Sequence, residues 1–391
     1  MTKELALIGM SIVLAIATFF AFAGDARAQE APFPSLTGNY NIGQVEWTFA
    51  DASRKEPVID ENTTCIDPNK SRSIPTVIYY PAEDSSGDAA KYLPPSLIEA
   101  YGLGGAGIEL LHKRAVANAP MSNAAETFPL VIFSPGLGIS SPFYTALLEE
   151  IASHGYIVVG VSHPYMSGEV YNPNNDCVIA TVPFPTDQEE IVPWLSDMIS
   201  VNLLDFNYLI AELQRLNSTS NSELFDDLFY ARINFSKMVM MGHSGGGMSV
   251  TAYCIQQQLD CRAGINLDGG NYSGEGVDRS SAWPAARPDL TYLKIRSASF
   301  PGIDIIPAAA FGEDQYLVDI AKIDHQTFSD KAYFGLVNAE TPEGEKVLPV
   351  EISHKLIGEH ILSFLTMATS STDQEIVWPN NSEYVTIRGV E

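Results

Sequence analysis

The stretch MVMMGHSGGGMSV, Met238 to Val250, sets a single serine among glycines where one apolar run ends and another begins. The run before Gly242 reads as a buried strand, and the residues after Gly246 carry helical spacing. A strand that turns at once into a helix holds the corner residue in a strained backbone conformation and lifts its side chain clear of the sheet. Neighbours two positions away on either side then crowd the backbone, so Gly242 and Gly246 must lack side chains. The helix that starts beneath the serine points its N–H groups at developing negative charge. In this strand–turn–helix setting G-x-S-x-G is the nucleophile-elbow signature, with Ser244 as the nucleophile. Outside that setting the same residues would be a glycine turn with an incidental serine.

A serine hydroxyl attacks poorly until a base takes its proton. Seven histidines are available: His112, His154, His163, His243, His325, His354 and His360. Where this elbow is used, the partners follow in the chain order serine, acid, histidine, which leaves the last three. His354 and His360 sit six apart on an amphipathic C-terminal helix. His325 lies in KIDHQTFSD, a polar loop after the last strand read from the sequence, and such loops carry the ligand sites of parallel sheets. His325 is therefore the expected base. For the acid, Asp268 ends the run AGINLDGG, and Asp304 in PGIDII is its rival after the next strand. Asp324 adjoins His325, a poor place from which to accept from Nδ1. Spacing favours Asp268. An oxyanion hole needs two backbone donors aimed at one oxygen. Gly245, the residue after the nucleophile, supplies one. The loop SPGLGIS supplies the other, and because Pro135 has no N–H, Leu137 is the candidate.

These residues need a frame. Residues 39–50 and 75–81 are β-rich, with a polar segment between them. Residues 82–127 are mixed. PLVIFSPG (129–136), YIVVGVSHP (156–164), SKMVMMG, RAGINLDGG (262–270) and TYLKIRSAS (291–299) read as strands buried on both faces. Helical patterns separate them at 144–155, at 188–216 with a break expected near Pro193, and after the elbow. Another closes the chain at 353–368. Alternation of this kind predicts an α/β architecture: a mostly parallel central sheet, helices on both faces and an antiparallel N-terminal edge. One catalytic domain over 29–370 and a peripheral tail over 371–391 are expected.

The chain has 391 residues, 46% hydrophobic and 18% charged, which is ample for a packed core. Its formal net charge of −26 speaks against nucleic-acid binding and offers no attraction to anionic membranes. Residues 1–28 read as a secretory signal, with Lys3, an apolar run and the small-x-small site Ala26-Arg27-Ala28; a membrane anchor is the rival reading. An exported protein follows, extracellular or periplasmic according to the source. Cys65, Cys177, Cys254 and Cys261 suit that compartment, near pairing with near and loop with loop. Glycosylation sequons stand at Asn62, Asn69, Asn217, Asn234, Asn271 and Asn380. Neither CxxC nor HExxH occurs, and no metal or cofactor is called for.

FSPGLG, ASHGYIVVGVSH, GHSGGG, GINLDGG and DHQTFSD, in that order, resemble the secreted platelet-activating factor acetylhydrolase family. YNIGQVEWTFAD and PTVIYYPAED resemble that family's opening strand pair, and the similarity runs from about residue 38 to 366. The resemblance implies an α/β-hydrolase fold, with Ser244 as nucleophile, Asp268 as acid and His325 as base. It also implies Leu137 and Gly245 as oxyanion donors, and a phospholipid with a short sn-2 acyl chain as substrate. Members often carry His where Pro135 stands and a bulky residue, often Phe, where Gly245 stands. SHPYMSGEV also departs from the charged version associated with the family. The hole donates through backbone, so these changes alter the mouth of the site and its acyl and headgroup preference. The alternatives are a general carboxylesterase, lipase or polyester hydrolase and, more remotely, a non-catalytic binding protein on the same scaffold. The partners expected are a small-molecule or lipid ester, with transient contact to a lipid surface open.

Overall fold

The computed structural model describes residues 29–56, 71–84, 86–104, 107–173, 177–179, 184–220, 224–256, 261–270, 290–297, 315–372, 374–380 and 383–389. The N-terminal part contains β1 (Gln29–Glu30), β2 (Asn41–Lys55), β3 (Ser71–Ala82), β4 (Ala89–Lys91), the short helix α1 (Pro95–Ala100) and β5 (Leu111–Ala117). There follow β6 (Phe128–Ser134), α2 (Thr145–Ser153), β7 (Ile157–Val161), the small hairpin β8 (Val170–Asn172) and β9 (Cys177–Ile179), α3 (Gln188–Ser218) and α4 (Leu224–Phe229). The last part holds β10 (Ile233–His243), α5 (Gly245–Gln256), β11 (Ala263–Leu267), β12 (Thr291–Ser297), β13 (Gln315–Ile320), α6 (Val350–Ala368) and β14 (Val385–Gly389).

One large sheet runs in the order β1–β5–β2–β3–β7–β6–β10–β11–β12–β13–β14, with β4 paired onto β5. From β7 to β13 every neighbour is parallel. Every residue of β7 and β11 is buried, as parallel strands covered on both faces must be. Alternation divides the side chains between two layers. Val131, Phe133 and Met241 pack with α2 and α6 on one face. Leu130, Ile132 and Met240 pack with α3 and α5 on the other. The chain leaves β6 through α2 for β7 on one side, then returns through α3 to β10 on the other. Strand order thus reverses around β6, and the carboxyl ends of β6 and β10 form a switch point where such sheets bind ligands. This is the mostly parallel, helix-covered α/β-hydrolase architecture the sequence predicts.

Three details differ from expectation. The N-terminal edge is not wholly antiparallel. β3 is antiparallel to both β2 and β7, but β5, from the segment read as mixed, adds parallel to β2. The C-terminal residues are more than a peripheral tail, because β14 closes the far edge antiparallel to β13, and Trp378 and Ile387 pack against the core. The helix at 188–216 is not broken at Pro193; α3 runs through it. A proline this near the start removes a single backbone bond, and burial of Met198, Phe206, Leu209, Ile210 and Leu213 holds the remainder.

Cys254 and Cys261 form a disulfide at the end of α5. Cys177 is also disulfide-bonded; its expected partner Cys65 and the proposed signal at 1–28 lie outside the described residues. Among the described residues no helix is long and apolar enough to cross a membrane.

Candidate active site

Ser244 stands between β10 and α5 with φ +52°, a left-handed conformation rare for a side chain. Its N–H donates to the Leu267 carbonyl at 2.9 Å, which ties the corner to β11. The close approaches expected of the glycines are present. A Cβ on Gly242 would lie 2.5 Å from the Gly246 backbone, and one on Gly246 would lie 2.2 Å from the Ser134 carbonyl oxygen. The strain at Ser244 persists because packing on both sides leaves the backbone no other path.

Asp268 follows β11, also at φ +52°, with its N–H donating to the Ile295 carbonyl at 2.7 Å. Its carboxylate is buried. His325 Nδ1 is 2.7 Å from Asp268 Oδ2, and His325 Nε2 is 2.9 Å from Ser244 Oγ. An ionised carboxylate only accepts, so Nδ1 carries the proton and Nε2 is free to accept from the serine hydroxyl. The structure therefore brings Ser244, His325 and Asp268 into one hydrogen-bonded line. Asp324 stands outside that line. It caps the helical turn His325–Phe328, accepting from the Gln326 N–H at 2.8 Å and from Asn338 Nδ2 at 2.7 Å. His354 and His360 stay in α6, where His360 Nδ1 donates to the Leu356 carbonyl. Asp304 lies outside the described residues.

The Pro135–Gly138 loop leaves β6 beside the elbow. Among the described residues, neither the Leu137 nor the Gly245 N–H has a hydrogen-bond partner. The Leu137 side chain leans over Gly245, its Cγ 2.8 Å from where a Cβ would stand. The space that a bulky residue after the serine would fill is thus occupied from the neighbouring loop.

Three supporting residues escape sequence reasoning. Ser297, at the end of β12, donates its N–H to Asp268 Oδ1 at 2.8 Å and its hydroxyl to Oδ2 at 2.6 Å. His243 is wholly buried beside the serine, its ring stacked on Phe328. Its Nε2 donates to the His325 carbonyl at 3.0 Å, so Nδ1 accepts from the Tyr144 hydroxyl at 2.8 Å. That hydroxyl accepts from the Gly136 N–H at 3.0 Å. Burial, with the neighbouring His325 adding to it, pushes the His243 imidazole well below its ordinary range and keeps it neutral. One chain of hydrogen bonds therefore spaces the Gly136 loop from the His325 loop. Its only sequence signal is the identity of the residue before Ser244. Among the described residues no group of three or more His, Cys, Asp or Glu side chains could hold a metal ion.

A parallel sheet with a serine at its strained strand–helix corner, and a histidine and an aspartate on later loops, defines the architecture of the serine α/β-hydrolases. The comparisons with known proteins agree. Residues 26–176 match the family described as platelet-activating factor acetylhydrolase, isoform II. Residues 113–273 also match the chlorophyllase family. The platelet-activating factor acetylhydrolase of Cavia porcellus is 28% identical over 230 residues, 49% of each chain. A probable 1-alkyl-2-acetylglycerophosphocholine esterase of Arthroderma benhamiae is 27% identical over 150 residues, 38% of this chain and 33% of its own length. The similarity thus spans half or less of these relatives. A ferulic acid esterase from Streptomyces cinnamoneus has the same fold, with a TM-score of 0.69 at 22% identity, covering 92% of this chain and 99% of that one. Over part of its length the chain is thus similar to esterases of the platelet-activating factor acetylhydrolase type.

Proposed function

We propose that the protein is an exported serine esterase that removes short sn-2 acyl chains from phospholipids. The observation that carries the reading is the hydrogen-bonded line from Ser244 through His325 to Asp268 at the carboxyl end of the parallel sheet. Ser244 Oγ attacks the ester carbonyl while His325 Nε2 takes its proton. Asp268 holds the imidazole in the required tautomer and stabilises the imidazolium. The N–H groups of Leu137 and Gly245 bind the tetrahedral oxyanion. His325 returns the proton to the leaving alcohol. Water, activated by the same imidazole, then releases the acyl group. The substrate class rests on the named relatives, and export on the leader-like residues 1–28. A general carboxylesterase is the second reading, supported by the chlorophyllase match across both the Pro135–Gly138 loop and the elbow.

The test is hydrolysis of glycerophosphocholines whose sn-2 chains run from acetyl to palmitoyl, by wild type and Ser244→Ala. A steep fall beyond a few carbons, absent in the variant, is the expected result. Flat or rising rates, or turnover of simple esters only, would move the assignment to the carboxylesterases. Full activity in Ser244→Ala would overturn the triad.

A further inference from the structure

We propose that a second serine–histidine–aspartate array, wholly buried and built from Ser134, His163 and Asp205, is a positioning device for the loop that carries the Leu137 N–H. The inference rests on the esterase reading above. Ser134 is the last residue of β6, paired with Gly242 of β10 and followed at once by Pro135, Gly136 and Leu137. Its Oγ lies 3.1 Å from His163 Nε2, and His163 Nδ1 lies 2.9 Å from Asp205 Oδ2. Ser134, His163 and Asp205 are all 0% exposed.

The proton positions follow from charge. Burial pushes the Asp205 carboxyl up, but the Arg72 charge and the hydrogen bonds of His163 and Arg72 outweigh it and hold the group ionised. Arg72 donates to Asp205 through Nη2 at 2.8 Å and Nε at 3.2 Å, and Arg54 Nη1 lies 2.9 Å from the same carboxylate. Burial holds His163 neutral. The carboxylate claims a proton on Nδ1, so Nε2 is a bare acceptor and the Ser134 hydroxyl must donate to it. The connectivity is that of the active site. Ser134 cannot act as a nucleophile, because it is buried on ordinary strand backbone. Here the histidine holds the serine.

His163 is itself immobile. Its N–H donates to Ser167 Oγ at 2.9 Å, and its carbonyl accepts the Met166 and Ser167 N–H groups. Its ring meets Phe206 of α3 edge-on. Arg72 reaches the Pro164 carbonyl at 3.3 Å and Glu56 at 3.0 Å, so β2, β3, α3 and the loop after β7 share one ion-pair cluster. Transmission to the site is direct. The Ser134 and Pro135 carbonyls rest on the Gly246 backbone of the elbow. The loop before Leu137 is therefore pinned on both sides of Pro135, by the Ser134 hydroxyl and by the Gly136 N–H on Tyr144. Releasing one pin lets the Leu137 N–H drift from the oxygen it must meet, while the line from Ser244 to Asp268 is untouched.

The experiment uses Ser134→Ala, which removes one hydroxyl, and Ser134→Cys, which keeps a weak donor in nearly the same volume. Each is assayed on a short-chain ester and on its thionoester, whose C=S is a poor hydrogen-bond acceptor and draws little from an oxyanion hole. For Ser134→Ala, kcat on the ester is expected to fall about tenfold with KM within about twofold, less than the loss of a whole oxyanion donor. The thionoester rate should fall much less, so the ester-to-thionoester ratio contracts. Ser134→Cys should recover part of the loss. Equal falls on both substrates, or none, would overturn the inference. Fluorophosphonate labelling at Ser244 separates the two levels: a wild type that does not label overturns the esterase reading and this inference with it. A protein that labels yet shows an unchanged ratio overturns the inference alone.

Discussion

Gly246→Ala perturbs the contact on which the site depends most directly. The new Cβ would stand 2.2 Å from the Ser134 oxygen, 2.6 Å from its carbon and 2.4 Å from the Pro135 oxygen. All three are backbone atoms, so no side chain can swing aside. Relief to an ordinary contact of at least 3.4 Å takes about 1 Å of movement by the loop or by the elbow. The first displaces the Leu137 N–H, and the second displaces Ser244 Oγ and the Gly245 N–H. A misplacement of about 1 Å at reacting groups costs on the order of a hundredfold, or about 2.7 kcal/mol of activation free energy. kcat/KM on a short-chain ester is expected to fall by that amount in protein whose far-ultraviolet circular dichroism is native. The control is Gly358→Ala in α6, where a Cβ meets nothing within 4 Å. It should keep full activity and gain roughly 0.5–1 kcal/mol of stability. A folded Gly246→Ala enzyme with more than about half the wild-type activity would refute the coupling between elbow and loop.

Three further outcomes are expected. Ser297→Ala removes the 2.6 Å hydroxyl bond to Asp268 Oδ2 but keeps the N–H bond. A bond to a charged group contributes about 1.5–3 kcal/mol, so kcat/KM should fall roughly tenfold or more, and an unchanged rate would remove Ser297 from the site. Tyr144→Phe leaves the buried Gly136 N–H and His243 Nδ1 without their partner. Each orphan costs about 1–3 kcal/mol, so urea unfolding should show a loss of roughly 2–5 kcal/mol, and a loss under about 1 kcal/mol would contradict the chain of bonds. Glu149→Gln should alter the pH dependence of stability. Burial pushes the Glu149 carboxyl up to about 7, so the folded state keeps a proton that the unfolded state releases near pH 4.5. The stability this contributes is present at low pH and is lost as pH rises through about 7. The variant should gain on wild type by up to about 3 kcal/mol between pH 4.5 and 8 in paired urea titrations, and a constant difference would show that Glu149 is ionised throughout.

Ser244 and its flanking glycines were legible because the requirement is local: a strand that bends into a helix at one residue has no room for side chains two positions away. The buried strands were legible because a parallel strand covered on both faces must be apolar throughout. β13 and β14 were not, since an edge pair is half-exposed and carries charge: Asp319 of β13 pairs with Arg388 of β14 and with Arg296 of the neighbouring β12. Asp268 stood out from Asp304 only by spacing and resemblance, because both follow strands in the stretch between Ser244 and His325.

The amino-acid sequence by itself determined the layer architecture, the corner at Ser244 and the order of residues that could form a triad, all of which follow from hydrophobic period and near-neighbour sterics. Only the tertiary structure decided which side chains hold them. Ser297 lies 29 residues from Asp268, Tyr144 lies 99 from His243, and Asp205 lies 42 from His163 and 133 from Arg72. A hydrogen bond across such distances has no period and no spacing rule. It exists because the sheet brings strand ends together, and burial then leaves each polar group there no partner but another residue of the chain.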